Sequence, residues 1–258
     1  MWAYILTLFY TLFHKKRTRY NWKPDLPDVR DHSYNLKFPN KVLLQQSVDL
    51  SPAMPPVFDQ GQLGSCTGNA LAAALSYIHG VIPHFSRLFI YRGERAIEHT
   101  ISQDAGAQIR DGVKFLSKAG CCFEATWPYT ISKFAAKPPK QCFTEALNYK
   151  ISEYIRLQTL DDMLQCLGSG FPFVFGFTVY ENFESASVAK TGIVTMPLSN
   201  EKVVGGHAVT AVGYDLSKKV FKVRNSWGDQ WGDKGYFYIP FDYLTNANLA
   251  ADFWTLRK

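Results

Sequence analysis

The feature that most constrains this chain is a change of character at about residue 170. Before it, apolar residues gather in runs long enough for helices. The stretch Thr67 to His79 is rich in Ala and Leu and closes on Gly80, which predicts a buried helix stopped by glycine. A second helix is expected near Ala107 to Lys118, ahead of Gly120. Thr159-Leu160-Asp161-Asp162 has the capping-box pattern that opens a third, ending near Gly168-Ser169-Gly170. Beyond that point the apolar runs are short, rich in Val, Phe and Tyr, and bounded by Gly, Asp or Pro. Phe171 to Tyr180, His207 to Tyr214, Lys219 to Arg224 and Gly235 to Ile239 read as strands of an antiparallel sheet or barrel. Helices first and strands second predict an α+β fold of two subdomains, about 47–170 and about 171–258, with a cleft between them.

The 47% hydrophobic and 19% charged content is that of a globular chain. The net charge of +6 is modest and includes the run His14-Lys15-Lys16-Arg17-Thr18-Arg19. No nucleic-acid-binding pattern accompanies it, so no nucleic-acid partner is expected. The five cysteines, Cys66, Cys121, Cys122, Cys142 and Cys166, contain no CxxC pair, and neither a metal nor a cofactor is expected. Their odd number leaves at least one thiol free, while Cys121 or Cys122 could meet Cys142 across a loop.

Residues 1–19 form an apolar and basic leader. Its run Trp2 to Phe13 is short for a membrane span and lacks the basic start and small-residue cleavage site of a signal peptide. Membrane contact through residues 2–13, or a leader without structure, are the alternatives it leaves open. Residues 20–46 are polar and punctuated by proline, as in Lys23-Pro24-Asp25-Leu26-Pro27, which predicts an extended arm laid over a surface.

Three segments carry chemistry. In Asp59-Gln60-Gly61-Gln62-Leu63-Gly64-Ser65-Cys66, a glycine-bracketed loop delivers a cysteine to the start of a helix. Partial positive charge and unpaired N–H groups there favour a thiolate, although an inert buried thiol fits the same residues. In Gly205-Gly206-His207-Ala208-Val209, two glycines permit close approach and a histidine opens an apolar strand. In Arg224-Asn225-Ser226-Trp227-Gly228, an asparagine follows a strand and leads into alternating Trp and Gly, which alone is equally an aromatic-packed turn.

Taken together and in this order, the three segments resemble the papain (C1) family of cysteine peptidases over about residues 47–258. His207 lies roughly 140 and Asn225 roughly 160 residues after Cys66, against roughly 130–150 in that family. The resemblance implies a papain-like fold with a helical left subdomain and a barrel-like right one, and hydrolysis of polypeptide substrates. It implies Cys66 as nucleophile, His207 as base, Asn225 orienting that base and Gln60 as an oxyanion donor. Trp227 would shield the His–Asn bond, and Gly64 and Gly106 would contact substrate, Gly106 pairing with its backbone. An acyl transferase or amide hydrolase on the same fold, or a non-catalytic peptide-binding relative, are the other readings. Two positions depart from the family pattern: Leu63 stands where a disulfide cysteine is usual, and Thr67 where an aromatic residue is usual. The loop Asp59 to Thr67, with the arm Pro24 to Asp31 before it, looks like the branch found in bacteria and some large viruses. By the same resemblance the arm is short for a pro-domain, and residues 20–46 are expected to lie across or beside the cleft and limit access.

Overall fold

The structure is a computed structural model and describes residues 20–80 and 84–258; the expectations for residues 2–13 lie outside the described residues. Four helices shape the molecule: α1 (Cys66–His79), α2 (Arg87–Ile97), α3 (Ile109–Ala119) and α4 (Leu160–Gly168). Helix α1 begins at the cysteine itself and ends on Gly80, whose left-handed backbone (φ 62°) closes the last turn. The capping box at Thr159 is formed in full, with the Thr159 hydroxyl accepting from the Asp162 N–H and the Asp162 carboxylate accepting from the Thr159 N–H.

Seven strands build one antiparallel sheet: β1 (Ser47–Asp49), β2 (Glu153–Leu157), β3 (Phe173–Tyr180), β4 (Val203–Asp215), β5 (Val220–Arg224), β6 (Tyr236–Pro240) and β7 (Ala250–Arg257). The order is β2-β7-β3-β4-β5-β6, with β1 paired to β4. The sheet has two ends and does not close, so the barrel-like expectation gives way to an open sheet. Two of its strands, β1 and β2, come from the half of the chain expected to be helical. His207 does not open its strand; it lies four residues inside β4, opposite Phe177 of β3.

Alternation along β3 explains the two-sided core. Phe173, Phe175 and Phe177 face an aromatic core that includes Phe221, Phe237, Trp227 and Trp231. Val174 faces the other way, joining Ala208 and Trp254 under helices α1 to α3. Helix α1 is also tied to the sheet by the Thr210 hydroxyl, which donates to the Ala70 carbonyl at 3.0 Å. That bond fixes the height of the cysteine-bearing helix relative to the strand carrying His207.

Candidate active site

The loop before α1 is stapled to the loop after β5. The Gln60 N–H donates to the Ser226 carbonyl at 2.9 Å and the Gly228 N–H to the Phe58 carbonyl at 3.1 Å. The Gln60 side chain is fixed at both ends, its amide donating to the Leu63 carbonyl (2.9 Å) and its oxygen accepting from the Ser226 hydroxyl (2.6 Å). Two segments far apart in sequence are thus held as one rigid floor, with Gln60, Cys66 and Asn225 all buried.

His207 joins that floor from β4. Its Nε2 lies 2.9 Å from Asn225 Oδ1, and the same oxygen accepts from the Ser226 N–H at 2.8 Å. The indole of Trp227 stacks on the imidazole, with ring centres 5.2 Å apart, and Phe183 and Trp231 pack behind Trp227. The backbone N–H of Ala208, next to His207, points at the Cys66 sulfur. His207 and Asn225 are thus in direct contact, Gln60 is bonded to the neighbouring Ser226, and Cys66 lies beside the Ala208 N–H, with Trp227 stacked on the imidazole.

The cleft over this floor is filled by the arm. The Trp22 N–H donates to the Gly206 carbonyl at 3.0 Å, the Ala107 N–H to the Asn21 carbonyl at 3.2 Å, and the Lys23 N–H to the Ala107 carbonyl at 3.1 Å. Residues 21–23 thus form a short strand-like bridge between the helical side and β4. Tyr20 sets its ring edge-on to His207 and to Trp227, both at 5.8 Å. Gly64 lies against the Asn21 side chain. A Cβ at Gly106 would clash with the Asn21 carbonyl, and φ +70° there disfavours any side chain. A Cβ at Gly176 would enter the Trp22 ring. Gly106 therefore makes room while the backbone pairing itself falls one residue on, at Ala107.

Burial sets the state of the Cys66 thiol. Cys66 is fully buried, and desolvation pushes its thiol up to about 11 despite backbone N–H groups of Ala208, Asn21 and Thr67 that favour the thiolate. The expected thiolate is thus disfavoured in this structure. Beneath Cys66, the Thr67 hydroxyl donates to Glu94 Oε2 at 2.7 Å, so the residue replacing the usual aromatic has a polar partner. Burial pushes the Glu94 carboxyl up to about 8. All five cysteines are free, and the side chains of Cys122 and Cys142 interact. Among the described residues no cluster suits a metal ion, and no helix is long and apolar enough to cross a membrane.

Sequence reasoning did not single out Tyr20, Asn21, Trp22, Asp104 or Ala107. Asp104 links the pieces, accepting from the Gly64 N–H at 3.1 Å and from the Tyr91 hydroxyl at 2.6 Å. A tryptophan placed in a polar, proline-rich arm was the signal available, because an indole there calls for a surface to cover it.

Comparison with known proteins agrees with this geometry. The papain family cysteine protease profile matches residues 44–252. An uncharacterized peptidase C1-like protein of Acanthamoeba polyphaga mimivirus is 46% identical over 231 residues, covering 83% of this chain and 73% of that protein. Cysteine proteinase 3 of Entamoeba histolytica is 27% identical over 214 residues, and the match spans 80% of this chain but only 66% of the relative. Among solved structures, xylellain, a cysteine protease from Xylella fastidiosa, superposes with a TM-score of 0.86 at 41% identity, covering 94% of this chain and 97% of that one. The chain belongs to the papain family of cysteine proteases.

Proposed function

We propose that this cysteine peptidase acts through Cys66, His207, Asn225 and Gln60, and that residues 20–46 hold it in a closed form. The observation that carries the assignment is the 2.9 Å contact of His207 Nε2 with Asn225 Oδ1. When that nitrogen carries the ring proton, Nδ1 becomes the proton acceptor. His207 then takes the Cys66 proton, and the thiolate attacks a peptide carbonyl. The tetrahedral oxyanion is bound by the Cys66 backbone N–H, at the N-terminus of α1, and by the Gln60 amide. The imidazolium protonates the leaving amine, a thioester remains on Cys66, and water releases the acid. Asn225 fixes the ring without adding a full charge, and Trp227 keeps water from the His–Asn bond.

The arm is the natural brake on this cycle. Its backbone takes the hydrogen-bonding edges at Ala107 and Gly206 that an extended peptide would use, the Tyr20 ring packs on His207, and the Asn21 backbone N–H reaches Cys66. Substrate then binds only when the arm leaves. The test is hydrolysis of a fluorogenic peptide library by the full chain, by Cys66→Ala, and by Trp22→Ala, which loosens the arm. Activity that is raised in Trp22→Ala and lost in Cys66→Ala supports the reading. Turnover persisting in Cys66→Ala overturns the nucleophile, and unchanged activity in Trp22→Ala overturns the brake.

A further inference from the structure

The arm is held by charge as well as by backbone pairing, and the charges do not balance. Asp25 and Asp31 of the arm meet Arg110 at the start of α3, Arg156 on β2 and Asp252 on β7. Asp31 takes both guanidinium groups, pairing with Arg110 and, at 2.9 Å, with Arg156. Arg156 also reaches Asp252 at 3.0 Å. Asp28 is neutralised by its own neighbour Arg30 at 2.7 Å, and Lys23 by Glu98 at 3.1 Å. Three carboxyls thus share two arginines.

Asp25 is the carboxyl whose direct hydrogen-bond partners are neutral, the Arg110 guanidinium favouring its charged form only through space. Its oxygens accept from the Arg110 backbone N–H at 3.1 Å and from the Trp254 indole at 2.8 Å. Its own backbone N–H donates to Asp252 Oδ2 at 2.8 Å, which brings the two buried side chains together. Asp252 is held there in a left-handed conformation (φ 61°) that non-glycine residues seldom adopt. The Trp22 indole faces the same Asp252 carboxyl and favours its charged form.

We propose that a proton held on Asp25, whose backbone is bonded to the Asp252 carboxylate, latches the arm into the cleft, so that raising the pH past neutrality releases the arm and opens the site. The proposal rests on the arm being the brake described above. Two neighbouring carboxylates in a buried site cannot both ionise cheaply. Burial and the Asp252 charge push Asp25 up to about 7, and burial raises Asp252 as well. The sign follows from linkage. A carboxyl whose docked value exceeds its free value near 3.8 favours docking fully below that free value. Its contribution is lost as pH rises through about 7.

Hydrogen exchange of the Trp22 and Lys23 amides in the full chain, corrected for the intrinsic pH dependence, reads docking without needing turnover. Between pH 5.5 and 8.5, protection at these two amides is expected to fall at least about tenfold in the wild type, while the β3–β4 amides of Ala208 and Val209 hold theirs. Asp25→Asn removes the carboxyl of the pair that is pushed up further and Asp252→Asn removes the charge beside it, so the fall should shrink in both variants, and further in Asp25→Asn because burial still raises Asp25 when Asp252 is replaced. Level protection in the wild type overturns the latch, as does a fall that is undiminished in Asp25→Asn. Since no step reads activity, a failed latch and a failed peptidase assignment remain distinguishable.

Discussion

The floor carrying Cys66, His207 and Asn225 and the arm above it are attached to the protein by different physics. The floor is built from backbone ladders and packed aromatics: β3 against β4, the Gln60 loop against Ser226, and Trp227 stacked on His207. The stretch of arm over the cleft is attached by three backbone hydrogen bonds at Asn21 to Lys23, the Trp22 indole and a group of carboxyls and arginines, while Tyr34 further along anchors in the core. Packed apolar contacts hold at every pH in the working range. Paired carboxyls do not, because their protonation changes with the medium. On the proposed function, the contrast separates machinery that must keep its geometry from a cover that must be able to leave.

Substitutions on the two sides should therefore move activity in opposite directions. Cys66→Ala should reduce peptide turnover to background with an unchanged melting temperature, because the nucleophile is gone while an alanine fits the buried site. His207→Ala should nearly match it. Gln60→Ala should lower kcat/KM about 10²–10³-fold, the usual effect of removing one oxyanion donor, measured on the same fluorogenic peptide. Asn225→Ala should be milder, roughly 10–10²-fold, because the ring loses orientation while nucleophile and base remain. Loss in Asn225→Ala equal to that in Cys66→Ala would break this ranking. On the other side, Trp22→Ala should raise full-chain activity by roughly tenfold, as expected when a side chain contributing about 1.5 kcal/mol of burial leaves the docked arm. A fall in activity there would mean that the arm supports the site and does not block it.

Those same two regions differed in how legible they were. The floor could be read because each of its parts carries a local signature: a glycine-bracketed cysteine ahead of an Ala-rich helix, a glycine pair before the histidine, an asparagine leading into Trp and Gly. Even there the glycines misled about boundaries. Gly205 and Gly206 look like a loop, yet both pair with β3 and are small because Tyr20 and Trp22 lie on them. Helix α2 escaped notice because Arg87, Glu94 and Arg95 are buried on it, which disguises its core face as a polar one. Strands β2 and β7 were missed for a related reason. Arg156 and Asp252 interrupt their apolar alternation, and their partners sit on the arm, more than a hundred residues away or nearly the whole chain apart. Long-range ion pairs leave no periodic trace in a single sequence, so the sheet's full width and the place of the arm emerge only in three dimensions.

The most direct measurement is to treat the full chain and Trp22→Ala with an epoxide-type cysteine inhibitor and to map the modified residue and its rate by mass spectrometry. The account predicts modification at Cys66 alone among the five cysteines, slow in the full chain and faster once Trp22 is removed. Modification at another cysteine, or a Cys66 that stays unreactive after the arm is loosened, would contradict it.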